Sequence, residues 1–209
     1  QYDIWANYIY DIYNVNAKKK NDKVLEIAAG SGIIAGFLEK RINNLIITDT
    51  SYHMLLNSTI KVPKVCCDMK ALPFKNKFTF IYSTFDSINY ILDYKELKAF
   101  FRNIEYTLEK DGCFTFDVAL ENNSYVVEKE LNREGVYNGY FYSQSNKYYK
   151  RKRIHENTFY IIAPDGKHFE EIHLQKIYRF DEYFKALEGT KLYVKDCYNA
   201  FTFDEANAE

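Results

Sequence analysis

Proline occurs only three times in this chain of 209 residues and glycine only eight times, which excludes a collagen-like or low-complexity polypeptide. The four cysteines, Cys66, Cys67, Cys113 and Cys197, form no CxxC pair, and no histidine stands at zinc-finger spacing. Neither a disulfide framework nor a metal site is therefore expected. The formal net charge is −1, so no global field gathers nucleic acid or an anionic membrane, and neither is an expected partner. No apolar run approaches the roughly 20 residues of a spanning helix, and no signal-peptide pattern opens the chain. Cys66 and Cys67 lie in a short apolar run and read as buried free thiols, which points to a reducing, cytoplasmic compartment. The chain starts at Gln1 and stops at Ala-Asn-Ala-Glu, and both ends read as trimmed.

Aromatic residues are abundant instead, at 18% with 20 Tyr and 16 Phe. The length suits a single domain, 1–209, with a sizeable core. Apolar periodicity sets its order. Tyr2–Tyr13 reads as an amphipathic helix burying Ile4, Trp5, Tyr8, Ile9 and Ile12. Lys18-Lys19-Lys20-Asn21-Asp22 reads as a solvated linker. Strands are expected at Lys23–Ala28, Leu45–Thr48, Lys64–Cys67, Phe78–Ser83 and Cys113–Val118, the last entered through a Lys110-Asp111-Gly112 turn. Helices are expected at Ile33–Lys40, His53–Ser58 and Lys95–Leu108, the last burying Leu97, Phe100, Phe101, Ile104 and Leu108. Such alternation predicts an α/β fold: a Rossmann-like, doubly wound, mostly parallel sheet.

The pattern changes after the fifth strand. A short helix near Tyr125–Leu131 precedes three long strand-like runs, Tyr137–Ser145, Arg151–Ile162 and Lys167–Tyr178, with Pro164-Asp165-Gly166 as a turn. An added antiparallel layer or lid over 119–180 is expected. Residues 181–209 then supply a helix capped by Asp181 and stopped by Gly189, and a last strand, Leu192–Tyr198.

Four features fall at the C-terminal tips of consecutive strands, where open α/β sheets bind ligands. Glu26-Ile27-Ala28-Ala29-Gly30-Ser31-Gly32 lets a backbone approach a ligand closely, or simply packs tightly. Asp49, 19 residues beyond Gly30, can accept both hydroxyls of a ribose, or cap the next helix. Asp68-Met69 can accept an exocyclic amine beside a flat ring, or form a solvated turn. Ser83 to Tyr90, STFDSINY, offers Asp86, Ser87, Asn89 and Tyr90.

Together these residues resemble class I S-adenosylmethionine-dependent methyltransferases. VLEIAAGSG is similar to their first motif, IITDTSYHML to the acidic second-strand motif, and CCDMKALPF to the third. FTFIYSTFDSINYI and LEKDGCFTFDV are similar to strands four and five. The Asp-Ser-x-Asn-Tyr element resembles a small-molecule subgroup related to sugar-amine N-methyltransferases. The resemblance spans Tyr2–Val118 and, more loosely, Phe169–Phe180. It implies S-adenosyl-L-methionine as cofactor and a small-molecule methyl acceptor, an amine among the candidates. It implies that Ala28 and Gly30, with Glu26 nearby, hold the methionine end, that Asp49 holds the ribose and that Asp68 with Met69 holds the adenine. Thr84 would offer a carbonyl to the cofactor amino group, and Tyr2 would lie near its carboxylate or pack in the core. Two departures stand out: Ala28 replaces the usual glycine, which predicts a wider turn, and neither the usual upstream tyrosine motif nor the usual seventh strand beyond Phe203 is found in this sequence.

Methyl transfer needs collinear positioning more than a catalytic triad, and a base only where the nucleophile must lose a proton. Acceptor contacts are expected from Asp86, Tyr90 and His173, with Asn89 a further candidate. Asp86 could equally cap a helix, and a histidine in a strand, such as His173, is more often structural. His53, His155 and His168 read as surface residues. The run Lys147–Arg153 could meet RNA or an anionic substrate, or form a hairpin edge kept basic against strand pairing. Two rival functions stand beside methyl transfer. A nicotinamide oxidoreductase would use Gly30-Ser31-Gly32-Ile33-Ile34-Ala35 as G-x-G-x-x-A but leaves Asp68 unexplained, and a catalytically silent cofactor-binding protein would keep the fold without turnover.

Overall fold

A computed structural model describes residues 2–16 and 21–206. Lys18–Lys20 of the expected linker, and both extreme ends, lie outside the described residues. The chain divides into two compact units. The first holds the described residues up to Ile88, Lys95–Asp117 and those from Ala186 on; the second holds Asn89–Tyr94 and Val118–Lys185.

In the first unit a five-stranded parallel sheet has the order β3-β2-β1-β4-β5. Its strands are β1 (Val24–Glu26), β2 (Leu45–Asp49), β3 (Lys64–Cys66), β4 (Phe78–Ser83) and β5 (Leu108–Phe116). β1 and β4 are buried along their whole length, as strands covered on both faces must be. The order reverses between β1 and β4, and at such a switch point the loops diverge and leave a crevice at the C-terminal tips.

Helices α1 (Tyr2–Asn16), α2 (Ile33–Leu38), α3 (Tyr52–Asn57) and α4 (Tyr94–Thr107) complete this part of the chain. α1 buries Trp5, Ala6, Ile9, Ile12 and Tyr13 in one cluster with Ile34, Leu38, Phe80 and Tyr82. Ile4, expected inside, is 53% exposed; a 100° step per residue turns it out of the stripe that Trp5 and Ile9 define. α4 buries Leu97, Phe100, Phe101 and Ile104, and Phe100 and Phe101 meet Phe114 and Phe116 of β5.

β5 starts five residues before the expected Cys113. Phe78 pairs with Leu108 and Phe80 with Cys113, so the expected turn is a bulge inside the strand, with Asp111 at φ 62°. The two adjacent thiols are not buried: Cys66 is exposed and Cys67 half-buried, because Cys66 ends an edge strand. The last strand expected, Leu192–Tyr198, does not form. An isolated bridge joins Tyr198 to Glu205, and the segment turns back so that Phe201 packs edge-on against Trp5.

The second unit carries α5 (Glu121–Glu130), a four-stranded antiparallel sheet and α6 (Phe180–Leu187). The strands are β6 (Arg133–Tyr137), β7 (Tyr140–Tyr149), β8 (Ile154–Ile162) and β9 (His168–Lys176), paired in chain order. Three strands were expected and there are four. Asn138 and Gly139 both take positive φ, 49° and 81°, the geometry of a two-residue hairpin turn that splits the first run. The basic run does not lie on an edge strand. It spans the end of β7 and the turn into β8, both central strands, with Lys147 over the Tyr149 ring, Lys150 over Tyr125 and Arg153 paired to Glu182 at 2.7 Å. His155, expected at the surface, is 4% exposed. Asp181 falls in the first turn of α6 instead of capping it.

Candidate functional site

The turn after β1 is wound tightly. Ala28, Gly30 and Gly32 all sit in the left-handed region, at φ 54°, 58° and 76°. At Gly32 a Cβ would come within 2.5 Å of Ile60 Cδ1, which would have to shift, in a left-handed conformation that side chains rarely adopt. Ala28 is held in a conformation that glycine favours, and the left-handed alanine costs about 1 kcal/mol or more. The tips of β1 and β2 are tied together here. The Ala29 N–H donates to the Thr48 carbonyl at 2.9 Å, and the Gly30 N–H donates to Asp49 Oδ2 at 2.7 Å.

Asp49 is half-buried and does more than end its strand. Its Oδ1 accepts from the Ser51 N–H at 2.7 Å. The cap of α3 is Ser51, whose hydroxyl accepts from the Met54 N–H, so Asp49 is not needed as a cap. Each carboxylate oxygen keeps a second lone pair available.

Glu26 is 2% exposed. The Tyr82 hydroxyl donates to its Oε2 at 3.0 Å, yet no lysine or arginine ion pair reaches it among the described residues. Burial pushes its carboxyl up to about 8, opposed by the Tyr82 hydrogen bond and the Ala35 N–H and reinforced by nearby Asp49. A buried acid without a cation is held neutral at pH 7.

The other expected residues are placed as follows. Asp68 is exposed, and its side chain accepts from the Lys70 N–H, opening a 3-10 turn over Met69–Ala71 in which Met69 is half-buried. Thr84 is 5% exposed, and its carbonyl accepts from the Ser87 hydroxyl at 2.8 Å. Tyr2 is 45% exposed and its ring meets Phe85 at 5.6 Å. Asp86 follows Phe85 in the left-handed region, at φ 48°, and its N–H donates to Asp117 Oδ2 at 2.8 Å. Asp117 was not singled out from the sequence. It sits one residue past β5, with Oδ1 buried and without a hydrogen-bond partner, and burial pushes its carboxyl up to about 7. An aspartate at a strand tip, as at Asp49 and Asp68, was the signal that could have found it.

In the second unit the Tyr90 hydroxyl lies 3.0 Å from His173 Nδ1, bringing together two residues 83 positions apart. Asn89 is not an acceptor contact. It is wholly buried, donating to the Ala119 and Lys176 carbonyls and accepting from the Ala119 N–H. Among the described residues no group of His, Cys, Asp or Glu could hold a metal ion, and no helix is long and apolar enough to cross a membrane.

Residues 24–112 match the family model described as a methyltransferase domain. This segment resembles a methyltransferase domain. It covers β1 through the bulge of β5, and so includes the Gly30 turn, Asp49 and Asp68. A candidate methyltransferase of Geobacillus sp. (strain WCH70) is 25% identical over 223 aligned positions, spanning 100% of this chain and 88% of that protein. Among solved structures, an S-adenosylmethionine-dependent methyltransferase from Clostridium acetobutylicum ATCC 824 has a TM-score of 0.81 at 24% identity, covering 99% of this chain and 87% of the other. The S-adenosylmethionine-bound amino pentose methyltransferase CalS10 from Micromonospora echinaspora has a TM-score of 0.72 at 14% identity, covering 90% and 81%. At these identities the likeness shows the fold.

Proposed function

We propose that the chain transfers a methyl group from S-adenosyl-L-methionine to a small-molecule acceptor, with an amine as the favoured class. The observation that carries this reading is the Asp49 carboxylate, fixed by two backbone N–H bonds beside the left-handed Gly30 turn. A carboxylate locked in this way presents its remaining lone pairs in a set direction, as a vicinal diol requires. The acid set fits a cationic nucleoside: among the described residues buried Glu26 has no ion-pair cation, and it would ionise on meeting an ammonium. When bound, the cofactor supplies a methyl carbon already activated by its sulfonium. The chain's own part is to hold the acceptor and take its proton. In this scheme Ala28, Gly30 and Glu26 hold the methionine end and Asp49 the ribose. Asp68 and Met69 hold the adenine, and Thr84 and Tyr2 the amino and carboxylate groups. Residues 1–118 supply all of these. Asp86, Tyr90 and His173 act on the acceptor. The amino pentose specificity named for CalS10 supports the amine class.

Calorimetry with S-adenosylhomocysteine tests the cofactor assignment. Asp49→Ala should weaken binding at least tenfold, since hydrogen bonds to a charged group contribute roughly 1.5–3 kcal/mol each. Asp49→Asn, which keeps one acceptor oxygen, should lose less. An unchanged dissociation constant in both variants would remove Asp49 from the ribose. Tyr90→Phe should lower turnover severalfold in a methyl-release assay over amines while leaving S-adenosylhomocysteine affinity unaltered. Parallel losses in affinity and turnover would take Tyr90 out of the acceptor site.

A further inference from the structure

His173 has a second neighbour that the sequence did not suggest. Its Nε2 lies 3.3 Å from Glu171 Oε1, while its Nδ1 faces the Tyr90 hydroxyl at 3.0 Å. Glu171 and His173 are two apart on β9, opposite Phe159 and Asn157, so they share one face of the sheet. The Phe159 ring meets the imidazole edge-on at 5.6 Å and limits its rotation.

We infer that Glu171 is a positioning residue that makes Tyr90 and His173 a proton relay serving the methyl acceptor. This rests on the methyl-transfer reading above. An ionised carboxylate only accepts, so the nitrogen facing Glu171 carries the hydrogen. In the neutral ring Nδ1 is then bare and accepts the Tyr90 O–H. Tyr90 is 44% exposed. An ammonium acceptor gives one N–H proton to the Tyr90 oxygen as the Tyr90 proton passes to Nδ1. The acceptor is left as a neutral amine with a free lone pair, Tyr90 is unchanged, and His173 becomes an imidazolium facing Glu171.

Several other titratable or charged groups share this face, Tyr142 and Tyr137 among them. His155 on β8 is buried, which holds its pKa below the usual histidine range. Tyr148 on β7 donates to Glu121 of α5 at 2.9 Å, and its backbone N–H donates to Glu128. Arg133 on β6 donates to Gln144 at 2.9 Å. Glu171 is the nearest charge to His173 in this set.

Two readouts test the relay. The first is the ring-nitrogen NMR shifts of neutral His173, in the wild-type chain and in Glu171→Gln. The wild-type ring should be the Nε2–H tautomer, and Glu171→Gln should weaken that preference. The second is turnover of an amine acceptor, where Glu171→Gln should lower kcat severalfold and leave KM little changed. Glu170→Gln, on the opposite face of β9, should move neither. An Nδ1–H tautomer in the wild-type chain, a tautomer indifferent to Glu171→Gln, or an unchanged kcat would overturn the relay. A wild-type chain that methylates no acceptor would count against the methyl-transfer reading, and the NMR readout would still decide whether the relay exists.

Discussion

Replacing Glu26 by glutamine should make the protein more stable at pH 8 and remove much of its pH dependence between pH 5 and 8. The buried carboxyl titrates at about 8 instead of 4.5, chiefly because burial penalises its charge. A group raised in the folded state adds stability that is complete below its unfolded pKa, near 4.5, and is lost as pH rises through 8. The shift corresponds to roughly 3–5 kcal/mol across that window. Asp117, raised to about 7 from 3.8, acts in the same direction, so the wild-type chain should weaken as pH rises from 4 to 8. Glutamine keeps an acceptor oxygen for the Tyr82 hydroxyl and carries no charge at any pH. Urea unfolding at pH 5, 6, 7 and 8 should therefore give a flatter profile for Glu26→Gln, with the residual slope from Asp117. Parallel profiles for the two proteins would mean that Glu26 is already ionised when folded. The same property suits the proposed cofactor role, because a neutral buried acid that ionises on meeting an ammonium favours a cation over a neutral ligand.

The first five strands could be read because their signals are local. A buried apolar run ending in small residues, then a helix, then another run ending in aspartate, needs no knowledge of the rest of the chain. The antiparallel strands were read less well, and one local signal was passed over: Asn138-Gly139 between apolar residues marks a hairpin turn by itself. Leu192–Tyr198 failed for the opposite reason. Its residues favour strands, but a strand needs a partner edge, and Tyr193 is left 81% exposed.

The site divides along the same line. Asp49 and the Gly30 turn stood out by spacing, whereas the bond between them spans 19 residues and depends on sheet register. Asp117 shared the strand-tip signal but meets the Asp86 N–H only once β4 and β5 are paired, and Glu171 lies two residues from His173, a closeness that means a shared face only once β9 is known to be a strand. Asn89 was misread for a related reason. An asparagine beside Asp86 and Tyr90 looks like part of a polar site, and only the fold shows where its amide goes.

That amide is the basis of the other large effect. Asn89→Ala should destabilise the protein by about 3–5 kcal/mol, since it orphans buried groups that each cost about 1–3 kcal/mol. The Ala119 N–H loses its acceptor at 2.9 Å, and the Lys176 and Ala119 carbonyls lose donors at 2.8 and 3.1 Å. Asn89 itself is 0% exposed. The side chain thus fastens Ala119, just before α5, to the end of β9, and its loss should loosen both. Asn89→Asp separates the two halves of the role. It keeps an oxygen for the Ala119 N–H but turns a charge towards two carbonyls, so it should be as damaging as alanine at pH 7. Its folded pKa would be raised by that contact, so stability should return as pH falls and the acid gains a proton to donate. Thermal unfolding at pH 5 and 7 reads both variants, with alanine low at each pH and aspartate recovering at the lower. If Asn89 met the acceptor instead, both substitutions would raise KM and leave the unfolding transition where it was.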